Sequence, residues 1–201
     1  MRESIRVGAL LAGACIVAGL AARGQEPQSP TAQKSSSFDA AVVYNPLMAN
    51  VVSSNSFLMQ GGSLQLHGQF WHGLGVVADV SGLHTASTNG ASGVGLDMVT
   101  TTFGPRYTWA PEHRRYALFG QALAGEANGF NSVFPNAAAG SASDTASSLA
   151  IYLGGGVNLT LKHHLALRAF EANWLRTQMP NGTSNVQNNL RLGAGLIYRI
   201  K

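Results

Sequence analysis

The sequence predicts an all-β chain, an eight-stranded antiparallel up-and-down transmembrane β-barrel, on three observations. Side chains alternate in polarity with period two through eight short segments. The connections between those segments alternate between long and short. Charged residues make up only 11% of the 201, where a water-covered domain carries about 25%. Disorder is excluded, because 45% of the residues are apolar and net charge is low.

The chain opens on a secretory signal over residues 1–24. Arg2 and Arg6 supply its positive start, and Val7 to Ala22 is an apolar run of 16 residues. That run is shorter than the roughly 18–20 residues a membrane-spanning helix needs. Ala22-Arg23-Gly24 then offers small residues at both positions a signal peptidase inspects, with cleavage before Gln25. Cleavage removes Arg2, Arg6, Arg23 and Glu3, leaving 10 basic and 8 acidic groups. So slight an excess gives no basis for binding nucleic acid. Cys15 is the single cysteine and leaves with the leader, so the mature chain has neither disulfides nor thiol chemistry. Residues 25–36, with Pro27, Pro30 and Ser35, read as a flexible polar lead-in, and 37–201 as the barrel.

Eight segments fall at about 37–45, 62–71, 74–84, 96–110, 115–128, 148–160, 164–175 and 187–200. The last is the clearest: Leu190, Leu192, Ala194, Leu196, Tyr198 and Ile200 share one face, and Asn189, Arg191, Gly193, Gly195, Ile197 and Arg199 the other. In the second segment Leu64, Leu66 and Phe70 oppose Ser63, Gln65, His67 and Gln69. In the third, Leu74, Val76, Ala78 and Val80 oppose Gly75, Val77, Asp79 and Ser81. In the sixth, Leu149, Ile151, Leu153 and Val157 oppose Ala150, Tyr152, Gly154 and Gly156.

Long connections are read at Pro46–Gly61, Thr85–Gly95, Gly129–Ala146 and Arg176–Val186, and short ones at His72-Gly73, Pro111–Arg114 and Leu161–His163. Outer membrane barrels have this asymmetry, with tight periplasmic turns and long external loops. An even strand number returns both ends of the mature chain to the periplasmic side. In such a barrel the apolar face meets lipid and the polar face lines the lumen. Eight strands enclose only enough space for side chains. A soluble lipocalin-like binding barrel has the same periodicity with its faces exchanged. Aromatic residues gather near strand ends (Phe70, Trp71, Trp109, Tyr116, Trp174 and Tyr198), as membrane-interface girdles require.

Two places depart from a uniform ladder. Pro105 lies inside the fourth segment, where a closed barrel has no free edge, so a bulge is expected beside it. Arg168 and Glu171 are three apart and reach the same face only if a bulge intervenes near Ala169-Phe170.

Four stretches resemble the OmpA-like outer membrane β-barrel domain family, in its small eight-stranded form without a peptidoglycan-binding domain. They are Phe103-Gly104-Pro105-Arg106-Tyr107, Phe119-Gly120-Gln121, Gly154-Gly155-Gly156-Val157 and Asn188-Asn189-Leu190-Arg191-Leu192. The resemblance spans about 37–201. It implies residence in the outer membrane, outer membrane lipids as neighbours, and assembly by the barrel-insertion machinery, which reads the last strand. Such strands commonly end in an aromatic residue; this one ends Ile200-Lys201. The patterns are architectural and imply no activity.

Catalytic, cofactor and metal sites are not expected. The six histidines lack HExxH, His-x-His or Cys-His spacing, and Gly154-Gly155-Gly156 lacks the Lys-Ser/Thr of a phosphate loop. The functional reading is a monomeric outer membrane barrel with a structural or surface role, its lumen mostly closed by its own side chains. The alternatives are a narrow small-solute pore, a lipid-A-modifying barrel enzyme and the soluble binding barrel. The candidate site is a lumen charge cluster of Asp79, Arg106, Arg168, Glu171 and Arg191, in which Asp79 and Arg106, on neighbouring strands, are expected to couple and Asp39 or a water to complete the set.

Overall fold

An open sheet leaves unpaired backbone groups along its edges, and the chain avoids this by closing its strands into a ring. The computed structural model describes residues 37–51, 56–88, 94–136, 141–180 and 185–200. The leader and the lead-in lie outside the described residues. The first stave is β1 (Ser37–Tyr44) and β2 (Leu47–Ala49), interrupted at Asn45-Pro46. Then come β3 (Phe57–Trp71), β4 (Leu74–Thr85), β5 (Leu96–Trp109) and β6 (Tyr116–Phe130). A small hairpin, β7 (Phe134–Asn136) and β8 (Ser141–Ser143), stands in the next connection. The last staves are β9 (Ala146–Lys162), β10 (Leu165–Thr177) and β11 (Gln187–Ile200). Each stave pairs antiparallel with its neighbours, and β1 pairs with both β3 and β11, which closes the barrel.

Two-residue turns at 72–73 and 163–164 and a longer one at 110–115 mark one end of the barrel. In the first, His72 and Gly73 both take positive φ, 39° and 92°, as a tight hairpin matched to strand twist requires. A Cβ on Gly73 would collide with the Thr108 carbonyl oxygen. The connections at the other end, 50–56, 86–95, 131–145 and 178–186, are longer. They are shorter than read, however, because β3 begins at Phe57 and Pro46 is followed by another strand. The alternation had faded there: Leu47 and Met59 turn inward beside the outward Met48 and Leu58, so both faces are apolar.

Outward positions carry the large apolar side chains, among them Val42, Leu64, Val80, Phe103 and Leu196. Phe70, Trp71, Trp109, Tyr116 and Tyr198 stand exposed near the short-turn end, and Trp174 near the other. Inward positions fall into zones. A polar band crosses the middle of the lumen. Beyond it, toward the long connections, the lining becomes apolar, with Leu47, Met59, Leu83, Met98 and Leu175 in one buried cluster that Phe134 and Met179 join. This corrects the expectation of a polar lining throughout.

Pro105 produces no bulge. It stays opposite Val76 in the β4 ladder, and pairing with β6 skips Gly104 and Pro105 and resumes at Arg106 and Gln121 in unchanged register. A missing N–H removes a rung, and an inserted residue would not restore it. In β10 the register does shift, between Arg168 and Glu171. Ala169 and Phe170 both face outward there, so Arg168 and Glu171 both point inward, each 0% exposed.

Candidate functional site

The polar band is built by cross-strand rows. One row carries Arg106 on β5, Gln121 on β6, Gly154 on β9, Asn173 on β10 and Arg191 on β11. Gly154 leaves space in the middle of it: a Cβ there would collide with Asn173 Oδ1. A second row pairs Gln65 on β3 with Asp79 on β4 and Thr102 on β5. All these side chains are inward because their strands alternate, and the bulge in β10 adds Arg168 and Glu171 to the same layer.

Arg191 spans the lumen. Its Nη1 and Nη2 donate to Asp79 Oδ1 and Oδ2 at 3.0 and 2.7 Å. It also donates to Tyr152 Oη and Ser63 Oγ, both at 3.0 Å. With its carboxamide oxygen turned inward, Asn45 accepts from Ser63 N–H at 3.1 Å and from Arg191 Nη2 at 3.2 Å. Arg168 Nη1 donates to Glu171 Oε2 at 2.7 Å, and Asn173 Nδ2 donates to Glu171 Oε1 at 2.6 Å.

Gln65 ties the two ion pairs together. Its Nε2 donates to Asp79 Oδ2 at 2.8 Å and to Glu171 Oε1 at 3.2 Å, while its Oε1 accepts from both Arg106 and Arg168. Arg106 reaches no carboxylate directly: Nε and Nη2 donate to Gln121 Oε1 at 2.9 and 2.5 Å. The Phe119 ring packs against both the Arg106 and Arg168 guanidinium groups, 4.6 and 4.7 Å from its centroid. A ring face attracts a desolvated cation, and this ring contacts two.

The structure therefore brings all five sequence-expected residues into one layer but pairs them differently. Asp79 bonds Arg191 across the lumen and not Arg106 on the adjacent strand. Asp39 is not part of the layer's bonding; its carboxylate is held by His67 Nδ1 at 2.9 Å, nearer the short-turn end. Sequence reading missed Gln65, Gln121, Asn173, Tyr152 and Phe119. Gln65 and Tyr152 already stood on inward faces, so an inward carboxamide or phenol beside the charges was the available signal.

Chemically this layer is a plug. Unpaired buried charge is costly, and here three cations and two anions share a continuous web of amides and hydroxyls. A second polar pair lies on the outer wall, where His84 Nδ1 stands 2.5 Å from Asp97 Oδ1 and Asn131 donates to Asp97 Oδ2. The cross-strand neighbours of His84 are Gln60 and Asp97. Among the described residues no three His, Cys, Asp or Glu side chains group as a metal site.

No family model and no curated protein matches the chain. Solved structures do. Neisserial surface protein A (NspA) is similar at a TM-score of 0.58 and 13% identity, covering 80% of this chain and 96% of that one. The outer membrane protein OprG from Pseudomonas aeruginosa matches at a TM-score of 0.49 and 10% identity, over 84% of this chain and 97% of its own. Ail, the attachment invasion locus protein of Yersinia pestis, solved with the heparin analogue sucrose octasulfate, matches at a TM-score of 0.48 and 16% identity, over 82% and 97%. The likeness to the Neisserial protein is one of fold: this chain is a closed antiparallel eight-stranded β-barrel of the kind seen in small outer membrane proteins, the architecture that the OmpA-like resemblance implied.

Proposed function

We propose that this protein is a monomeric integral outer membrane barrel with a structural or surface role and a lumen sealed to solutes. The observation that carries this reading is the plug. Arg106, Arg168 and Arg191 are each 2% exposed or less, and their bonds to Asp79, Glu171, Gln65 and Gln121 run from wall to wall. Residence in the membrane is supported by the outer wall, whose apolar side chains belong against acyl chains, and by its aromatic residues near the short-turn end. A soluble barrel would reverse this polarity, keeping arginines outside and leucines within. The asymmetry of connections supports an orientation with the short turns and both ends of the barrel in the periplasm. Outer membrane lipids and, during assembly, the insertion machinery are then its partners.

Conductance across a planar lipid bilayer tests the sealed lumen. Single barrels are expected to give no stable openings in molar potassium chloride. Long-lived open levels would replace this reading with that of a narrow solute pore. Altered lipid A in a strain that overproduces the protein would replace it with that of a barrel enzyme.

A further inference from the structure

Toward the long-connection end the inward side chains turn apolar. Leu47, Met59 and Met98 turn inward from β2, β3 and β5 and are 0%, 1% and 3% exposed. Phe134 of β7 folds over them from one connection and Met179 from another. Between these groups lies an open pocket of about 390 Å³, within the roughly 300–1,000 Å³ range of small-molecule sites. Its base is apolar, closed off from the short-turn end by the Arg191–Asp79 layer.

We infer that this pocket is a binding site for a small uncharged amphiphile, an aliphatic chain bearing a neutral hydroxyl or amide head. The lining selects both ends of such a molecule. Three methionines, Met59, Met98 and Met179, border the space, and their unbranched thioethers adapt to an aliphatic chain of variable shape. The polar lining groups, including Asn50, Thr88 and Ser132, are all neutral, and among the described residues no Lys, Arg, Asp or Glu borders the pocket. An ionised head would lose water there and gain no counter-charge.

The site is also built to keep its shape. The Gln187 carboxamide accepts from Met179 N–H at 2.9 Å and from Thr177 Oγ1 at 3.1 Å, and donates to Met179 O at 2.8 Å. Asn189 Oδ1 accepts from Asn50 N–H at 2.8 Å. These bonds hold two connections against the strand ends.

Methionine methyl NMR of the mature protein in phosphatidylcholine nanodiscs tests the assignment. Met48 faces outward at 44% exposure and reports ligand dissolved in lipid; Met59, Met98 and Met179 report the pocket. Titrated 1-decanol is expected to shift the three pocket methyls saturably while Met48 changes only linearly. Ionised decanoate at pH 8 should bind roughly tenfold more weakly or worse. Filling the pocket with Ala49→Leu should weaken the decanol response by about tenfold without altering that of Met48. Pocket methyls that merely track Met48, or that respond equally to decanoate, would overturn the inference. The comparison of the two ligands on the unaltered protein decides the matter even if the variant does not fold.

Discussion

Arg191 and Asp79 face each other across the lumen in a two-pronged ion pair, 2.7 and 3.0 Å long, with each side chain 1% exposed. Removing either partner strands a buried charge. Asp79→Ala and Arg191→Ala are each expected to cost about 3–5 kcal/mol. The double variant should cost less than the two together, by about 0.5–3 kcal/mol. Asp79→Ala with Arg106→Ala should couple more weakly, since those residues meet only through Gln65. Urea unfolding from lipid vesicles measures all three quantities, and additive effects for Asp79 and Arg191 would remove the pair as a stabilising unit.

The bulge in β10 admits Arg168 and Glu171 to the lumen together. Deleting Ala169 restores strict alternation and forces one of the two charges outward. A cation at the membrane midplane costs roughly 2–4 kcal/mol, beyond the loss of the pair itself. The deletion is expected to abolish the heat-modifiable folded band on an unboiled denaturing gel. An undiminished folded fraction would mean that the bulge is dispensable.

Two glycines should respond oppositely to one methyl group. A Cβ on Gly156 would collide with the Phe170 carbonyl oxygen and sit 2.9 Å from the Phe119 ring, whereas one on Gly82 would meet nothing within 4 Å. Gly156→Ala therefore forces the β10 backbone at Phe170 and the Phe119 ring to shift, at a cost of about 1–3 kcal/mol. Gly82→Ala should be neutral or add about 0.4–1 kcal/mol by restricting the unfolded chain. Equal unfolding midpoints for the two variants would contradict this packing.

Val80 points away from the lumen at 48% exposure, paired with Leu64 and Thr101. Facing lipid, Val80→Arg should destabilise by roughly 2–4 kcal/mol. Facing water, the same change would lie within about 0.5 kcal/mol. The folded fraction after reconstitution distinguishes the two environments of the wall.

Alternation along a strand is a local property, legible in the amino-acid order wherever one face is polar and the other apolar. Leu190 to Ile200 declared its two faces, and the same period placed Asp79, Arg106 and Arg191 inward. The spacing of Arg168 and Glu171 disclosed the bulge, because two buried charges three apart leave a strand few alternatives. Loop asymmetry set the up-and-down order.

Contacts that depend on closing the ring belong to the tertiary level. Residues on opposite walls meet according to strand tilt and stagger, which no single segment encodes. Arg191 thus finds Asp79 from β11 to β4, and Gln65 becomes the link between Asp79 and Arg106, which sequence reading had coupled directly. The apolar mouth was hidden for a different reason. Where Leu47, Met48, Leu58 and Met59 make both faces apolar, the period-two contrast vanishes. Only the closed barrel distinguishes Met59, buried in the lumen, from Leu58, exposed on the wall.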